Sequence, residues 1–451
     1  MAEASNSDPM YTRQQRIAEL ARLNPHMGLT SLNHHIDLPW LYNAYQRTRK
    51  DGAVGVDGQT ATAYAQHLRD NLLALLARAK SGTYRAPPVR RAHIPKGPDS
   101  AETRPIGIPT FEDKLLQRAV VMVLEPIYEQ DFLDCSYGFR PGRSAHQALT
   151  ALWQQLMQMG GGWILDVDVQ KFFDTLGHSQ LRQLVKRRVR DGVLLRLIGK
   201  WLNAGVLTEE VVSYPEAGAP QGCVISPVLS NIYLHYVLDV WFETEVKPRL
   251  RGRAFLIRYA DDLVMGFACE SDARRVLEVL PRRFSKYGLT IHPDKTRLVP
   301  FVRPPRGVTG NATTPGSGPG TFDFLGFTHY WGRSRKGNWV VQRQTATLRL
   351  HRAIKTIAAW CRRNRHQPIP TQHVTLSQKL RGHYAYYGIT GNFRALSCFH
   401  YAVRGLWRRW LARRSWAGRL PWDQYYQLLG RFPLPPPVVV HSVYLRSKPV
   451  T

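Results

Sequence analysis

Hydrophobic residues recur with two different spacings along the chain, and these predict alternating helices and strands. Helical spacing predicts a helix in LPWLYNAYQRTRK, another over residues 64–80, and a third after the proline-punctuated strand that starts at residue 104. Between residues 163 and 300, short apolar strands such as WILDVDV and FLIRYADDLVMGF alternate with helices. This pattern is typical of an α+β fold in which helices cover one face of a sheet.

The last hundred residues have a helical rhythm instead. Two apolar stripes recur at spacings of three and four: Leu350, Ile354, Ile357 and Cys361, then Leu396, Phe399, Val403, Leu406 and Trp410. They predict a helical bundle with an apolar seam and a basic exterior. Residues 302–320 are rich in Pro, Gly, Ser and Thr and predict a linker, whereas Pro433–Pro437 predicts an extended tail.

The net charge indicates the kind of partner that the chain binds. The chain has 62 Lys and Arg against 33 Asp and Glu, a net charge of +29, which favours a polyanionic partner over a merely soluble basic surface or an acidic membrane. From residue 341 onward there are nineteen Lys and Arg and one acid, Asp423, with aromatic residues between them. That mixture suits phosphate neutralisation and base stacking, although tryptophans at helical spacing more often belong to a core.

Cysteine usage and hydropathy indicate the compartment. The five cysteines are scattered and never form a C-x-x-C pair, which argues against a disulfide framework or a structural zinc site. No signal peptide and no apolar stretch approaching 18 residues is visible, so a cytoplasmic protein without a membrane partner is expected. The sequence gives no indication of oligomeric state.

Two adjacent carboxylates, Asp261 and Asp262, interrupt an apolar strand pair and are the strongest chemical signal. Like charges at a hairpin tip repel each other unless a cation lies between them, although such a pair alone is more often only a polar turn. Asp168 ends another apolar strand, so three carboxylates from two strands could meet. Phosphoryl transfer by two Mg²⁺ ions about 3.5–4 Å apart needs such a cluster of hard oxygen ligands.

Further motifs make the pattern specific. Tyr-Ala-Asp-Asp at 259–262 occurs with blocks at 55–58, 94–96, 104–109, 137–144, 218–222, 226–227, 288–289, 295–296 and 324–327. In this order they resemble the bacterial group II intron reverse transcriptases over about residues 40–330. The resemblance implies a right-hand polymerase with fingers and palm, followed by a helical thumb/maturase domain. No His-Asn-His or paired-cysteine segment follows, so the endonuclease domain of some relatives is expected to be absent.

The resemblance also implies roles for individual residues. Asp168 and Asp261 would ligate two Mg²⁺ ions, with Asp262 a weaker ligand. Nucleotide-binding roles fall on Lys96, Arg104, Phe172, Gln221 and Lys295. Phe172 would be the gate against a ribose 2′-hydroxyl, with Phe173 as the alternative, unless both belong to the core. Lys295 would protonate pyrophosphate unless it is only a solvated lysine. Leu325 and Gly326 lie in the Phe-Leu-Gly-Phe block that resembles the primer grip.

The expected organisation has four parts. They are an N-terminal extension with the first glycine-rich block (1–85), fingers and palm (86–335), a helical thumb/maturase domain (336–420) and a short basic tail (421–451). The implied partners are an intron RNA template, a DNA primer or target and deoxynucleoside triphosphates. Three alternatives remain open: a non-catalytic RNA-binding maturase, a domesticated relative in phage defence or repair, and a nuclease using the same acids.

Overall fold

The computed structural model describes residues 9–95, 103–208, 211–214, 217–218, 222–305, 320–414 and 418–442. They form two compact units. The first falls within Met1–Ile94, Thr103–Ala148 and Leu165–Leu298, and the second within Pro95–Glu102, Leu149–Ile164 and Val299–Thr451. No helix in these described ranges is both long enough and apolar enough to cross a bilayer.

Helices and strands together give the α+β fold that the hydrophobic pattern predicts. The helices are α1 (Pro9–Leu23), α2 (Leu38–Arg47), α3 (Ala61–Ala65), α4 (Leu68–Ser81), α5 (Phe111–Tyr128), α6 (Ala145–Met159), α7 (Phe172–Thr175), α8 (His178–Lys186), α9 (Gly192–Leu202), α10 (Ser226–Leu234), α11 (Glu270–Ser285), α12 (Thr347–Arg363), α13 (Ile369–Tyr387), α14 (Phe393–Leu411) and α15 (Trp422–Arg431).

The strands are β1 (Val89–Pro95), β2 (Thr103–Ile108), β3 (Gly161–Val167), β4 (Val206–Thr208), β5 (Val211–Ser213), β6 (Ala254–Tyr259), β7 (Asp262–Phe267), β8 (Arg297–Val302), β9 (Phe322–Phe324), β10 (Phe327–Arg333) and β11 (Trp339–Thr345). They form three sheets, with strand orders β2-β1-β4-β5, β6-β7-β3-β8 and β11-β10-β9. In the second of these, β6 and β7 lie in the first unit.

The predicted helix over residues 64–80 is divided in two. Thr60 caps α3 by accepting a hydrogen bond from the amide of Ala63 at 3.1 Å, and α3 ends at Ala65. His67 has non-helical angles before α4 begins. Asn71 then donates its side-chain amide to the Tyr64 carbonyl at 2.9 Å, because the interruption leaves that carbonyl without its intrahelical donor.

The predicted helical bundle forms the core of the second unit, and it extends further than the sequence pattern indicates. Both stripes contribute, since Ile357, Leu396 and Val403 are all buried in one cluster. Residues Tyr425 and Leu434 belong to the same cluster, so the segment expected as a basic tail contains a helix, α15, that packs into the bundle. Beyond it, Pro433–Pro437 has no regular secondary structure, as predicted.

Candidate active site

The two adjacent carboxylates lie where a strand pair turns. Strands β6 and β7 are antiparallel with Tyr259 opposite Asp262, which leaves Ala260 and Asp261 as a two-residue turn. Ala260 has φ of 58°, in the left-handed region that favours glycine. A buried alanine held there costs about 1–2 kcal/mol, and such strain is characteristic of functional turns whose surroundings fix one conformation.

A buried arginine fixes this turn, and the sequence analysis missed it. The Arg258 guanidinium is fully buried and forms an ion pair with the equally buried Asp239, with Nη2 to Oδ2 at 2.6 Å. It also donates to the carbonyl of Ala260 at 3.0 Å and to the side chains of Asn231 at 2.9 Å and Ser136 at 2.7 Å. The sequence does contain a signal for this network, because an arginine within an apolar strand is buried and needs buried polar or charged partners.

The partners of Arg258 come from elements that the sequence analysis did not connect. Asp239 lies on a π-helical stretch, His235–Asp239, that continues α10. The backbone of Arg258 pairs with the loop before residue 140, donating to the Cys135 carbonyl at 2.7 Å and accepting from the Tyr137 amide at 2.9 Å. A Cβ on Gly138 would lie 2.3 Å from the Ala260 nitrogen, so only glycine permits this approach.

Asp168 follows β3 and is held by a neighbouring loop. Two backbone hydrogen bonds form this contact. The Asp168 carbonyl accepts from the His292 N–H at 2.8 Å, and the Gln170 N–H donates to the Thr290 carbonyl at 2.8 Å. This pairing brings the Lys295 ammonium to 3.1 Å from the Asp168 carboxylate. The lysine is 64% exposed, so this ion pair lies at the surface of the first unit and can open to a ligand.

Electrostatics join Asp168, Asp261 and Arg104 in one site. Burial raises the pKa of Asp261 above its usual value, and the negative charge of Asp168 raises the pKa further. A backbone hydrogen bond and the positive charges of Arg104 and Arg258 oppose this rise. The charge of Asp168 therefore disfavours ionisation of Asp261, and a bound cation would relieve this repulsion.

The donor chemistry fits a divalent cation. Among the residues that the structure describes, no three His, Cys, Asp or Glu side chains form a ready-made metal cage. Mg²⁺ needs none, since it is usually held by one or two carboxylates together with waters and substrate phosphates. The electrostatically coupled pair Asp168 and Asp261, with Asp262 next in the chain at the exposed start of β7, supplies such oxygens.

The remaining expected site residues have different surroundings. Phe172 is buried and meets the half-buried Phe173 edge to face, with ring centroids 5.3 Å apart. Lys96 and Gln221 lie outside the described residues. Leu325 and Gly326 form the turn between β9 and β10, both with positive φ (49° and 81°), and the Leu325 carbonyl accepts from the Tyr386 hydroxyl at 2.9 Å. These contacts belong to the second unit.

A carboxylate turn, a second carboxylate and a flanking arginine act on one another in the first unit. Comparison with known families gives the class of protein. Residues 94–329 match the family described as reverse transcriptase (RNA-dependent DNA polymerase). Reverse transcriptases as a family use divalent metal ions and bind nucleic acid.

Individual relatives include group II intron-encoded proteins. Protein YkfC of Escherichia coli is 34% identical over 325 residues, 63% of this chain and 83% of that protein. The group II intron-encoded protein LtrA of Lactococcus lactis is 36% identical over 309 residues, 65% of this chain and 51% of LtrA. Nuclear intron maturase 2 of Arabidopsis thaliana is 30% identical over 234 residues, 43% of this chain and 30% of that protein. The chain belongs to the reverse transcriptase family, and it is similar to group II intron-encoded proteins.

Proposed function

We propose that the chain is an RNA-directed DNA polymerase that copies group II intron RNA into DNA. The observation that carries the proposal is that the charges of Asp168 and Arg104 both act on Asp261. Asp261 lies in the turn that Arg258 holds rigid. Asp168, Asp261 and Asp262 would hold two Mg²⁺ ions. When bound, such ions activate the 3′-hydroxyl of the primer and stabilise the departing pyrophosphate.

Side chains around the carboxylates would bind the nucleotide. Arg104 is exposed on β2, and its planar guanidinium suits bidentate contact with triphosphate oxygens. Lys96 and Gln221 are assigned nucleotide contacts on the family resemblance. Lys295 would leave Asp168 to protonate the leaving pyrophosphate, and its exposure supports that mobility. Phe172 is the assigned gate against the 2′-hydroxyl, although the more accessible Phe173 competes for this role.

The family resemblance also assigns roles to larger segments of the chain. Residues 86–335 would form fingers and palm, and 336–420 the thumb/maturase domain, with 1–85 before them and 421–451 after them. Leu325 and Gly326 would grip the DNA primer. The Tyr386 hydroxyl supports their turn.

Primer extension on an RNA template with Mg²⁺ and deoxynucleotides tests the catalytic proposal. The double variant Asp261→Asn, Asp262→Asn should abolish extension while RNA binding persists. The double variant Asp70→Asn, Glu278→Gln is the matched control, because it removes two exposed carboxylates from α4 and α11 and should extend normally. No extension by folded, RNA-binding wild type would favour the non-catalytic maturase instead.

Metal binding has a readout that does not depend on activity. Mg²⁺ should raise the thermal unfolding midpoint of the wild type and of the control variant, because it relieves repulsion between carboxylates in the folded state. The Asp261→Asn, Asp262→Asn variant should show no such rise. An equal rise in all three proteins would remove these residues from the ligand set.

We further propose that the protein binds intron RNA and assists splicing. The excess of cations after residue 340 and the relative named an intron maturase support this activity. Splicing assistance needs binding rather than the carboxylates, so wild type and the Asp261→Asn, Asp262→Asn variant should accelerate splicing of a precursor carrying the flanking intron equally. An unchanged splicing rate with wild type would refute this second activity alone.

A further inference from the structure

A cavity of about 680 Å³ opens in the first unit between α8, α9 and the segment that leads into β1. Five cationic side chains line it: Arg85, Arg182, Lys186, Arg196 and Lys200. Among the described residues, no carboxylate contributes to its wall. Such a concentration of one sign of charge in a concave surface attracts and holds anions.

Most of the cationic side chains that line this cavity, hereafter the groove, remain available to a ligand. Arg85, Lys186 and Arg196 are exposed, and none forms an ion pair with a carboxylate of the described ranges. The Arg182 guanidinium lies over Gly199, donating to its carbonyl at 3.4 Å, and its Nε is buried without a partner among the described residues. Lys200 is the exception, since the Gly82 carbonyl accepts from it at 2.6 Å.

The groove continues past Arg182 and Asn203 into a second cavity of about 420 Å³. Gly177, His178, Ser179 and Gln180 also line this extension, so it adds hydrogen-bonding groups to the charge of Arg182. At the edge of the first cavity, Tyr214 is 72% exposed. A solvent-exposed aromatic ring beside a row of cations is the arrangement on which nucleobases stack.

None of the residues assigned to the proposed polymerising centre is among the described residues that line this groove. The segment before β1 and the segment before β4 line it, and these two strands are parallel with Val89 opposite Val206. The groove is therefore at the beginning of β1, whereas Lys96 follows its end in the sequence. Seven residues of strand separate the two ends by about 20 Å.

We propose that this groove binds a single-stranded polynucleotide outside the catalytic centre. The exposed cations would neutralise successive phosphates, the Arg182 guanidinium at the cavity wall would bind one of them, and Tyr214 would stack on a base. A cavity of about 680 Å³ with an exposed aromatic ring beside its cations suits a single strand with unstacked bases better than a duplex. The inference rests on the proposed nucleic-acid binding but not on catalysis.

Fluorescence anisotropy with labelled single-stranded RNA, single-stranded DNA and duplex RNA of one length tests the proposal. The groove variant Arg85→Gln, Lys186→Gln, Arg196→Gln changes only exposed side chains, which protects the fold. Three lost phosphate contacts reduce the slope of log K against log salt by about 2. The ratio of the wild-type binding constant to that of the variant should therefore fall roughly sixteenfold as salt rises from 50 to 200 mM.

The control variant removes the same charge from another surface. Arg275→Gln, Arg282→Gln, Lys286→Gln lies on and just after α11, with all three side chains exposed. It should leave affinity and salt slope close to those of wild type. Tyr214→Ala should weaken binding without changing the salt slope, because it removes stacking and no charge.

The outcomes separate this proposal from the polymerase proposal. A loss by the groove variant with either single strand supports the site, and the comparison of RNA with DNA identifies the preferred strand. Equal losses in the groove and control variants, no loss in either, or a loss confined to duplex would overturn it. Failure of wild type to extend primers, with single-strand binding intact, would refute only the polymerase proposal.

Discussion

Lys171 is a residue held in a conformation that suits glycine. It has φ of 45° and lies in the tight turn that connects Asp168 to α7. Glycine adopts this left-handed region without steric cost, whereas lysine does not. The chain therefore stores strain next to a proposed metal ligand.

Lys171→Gly should raise the free energy of unfolding by about 0.5–1 kcal/mol, since relief of left-handed strain exceeds the entropy that glycine adds to the unfolded chain. Urea unfolding measures the change. Lys171→Ala provides the control, because it removes the same charge but keeps a Cβ in the left-handed region. A comparable gain in the alanine variant would show that charge, not backbone strain, is responsible.

Arg258 acts through other groups rather than on the substrate. Arg258→Gln should cost about 3–5 kcal/mol of stability, because it leaves Asp239 buried without its counter-ion. The double variant Arg258→Met, Asp239→Leu should recover much of that loss, since no unpaired charge remains. Primer extension should stay impaired in the double variant, because the Ala260 carbonyl still lacks its donor. Full activity in a stable double variant would contradict a positioning role for Arg258.

At the scale of elements, the start of α5 contains a buried carboxylate with a pH-dependent effect. Asp113 accepts hydrogen bonds from the Tyr84 hydroxyl and from Trp201 Nε1, the latter at 2.9 Å. Burial raises the pKa of Asp113 from 3.8 to about 6, although both hydrogen bonds oppose the rise. The folded protein therefore binds this proton more tightly than the unfolded chain does.

The contribution of Asp113 to the free energy of unfolding should therefore decrease as pH rises from about 4 to about 6. Asp113→Asn cannot titrate and should lack this component. Urea unfolding of both proteins at several pH values gives the difference curve. A flat difference between pH 4 and 6 would show that the carboxylate has no raised pKa in the folded state.

The elements that were predicted correctly are those with a long or strongly alternating pattern. The hairpin around Asp261 and Asp262 and the helices α12 and α14 follow directly from local periodicity. The helix α15 and the network of Arg258 depend on contacts distant in sequence, such as Arg258 to Ser136. The ligand roles of Asp168, Asp261 and Asp262 stay predictions, although their electrostatic surroundings suit them.

On the scale of the whole molecule, the chain beyond residue 420 determines the stability of the second unit. The Tyr425 ring is fully buried, meets Trp407 edge to face at 6.1 Å, and its hydroxyl donates to the Arg404 carbonyl at 2.8 Å. Leu434 is buried in the same cluster. The bundle therefore needs this segment to close its core.

Truncation after Leu420 should destabilise the protein by at least about 3 kcal/mol, because it uncovers an aromatic core residue and its neighbours. Truncation after Ser442 leaves these contacts in place and is the matched control. Thermal unfolding followed by intrinsic tryptophan fluorescence compares the two. Equal midpoints for both truncations would show that α15 contributes no stability.

The close approach of Gly138 to Ala260 has a consequence for recombination between relatives. The loop before residue 140 and the hairpin that carries Asp261 are about 120 residues apart in sequence, yet their backbones fit only as a pair. A chimera that takes one segment from one parent and the other from a second parent inherits two surfaces that evolved separately. Productive crossovers between such enzymes should therefore leave residues 135–140 and 258–262 from the same parent, even where every catalytic residue is identical.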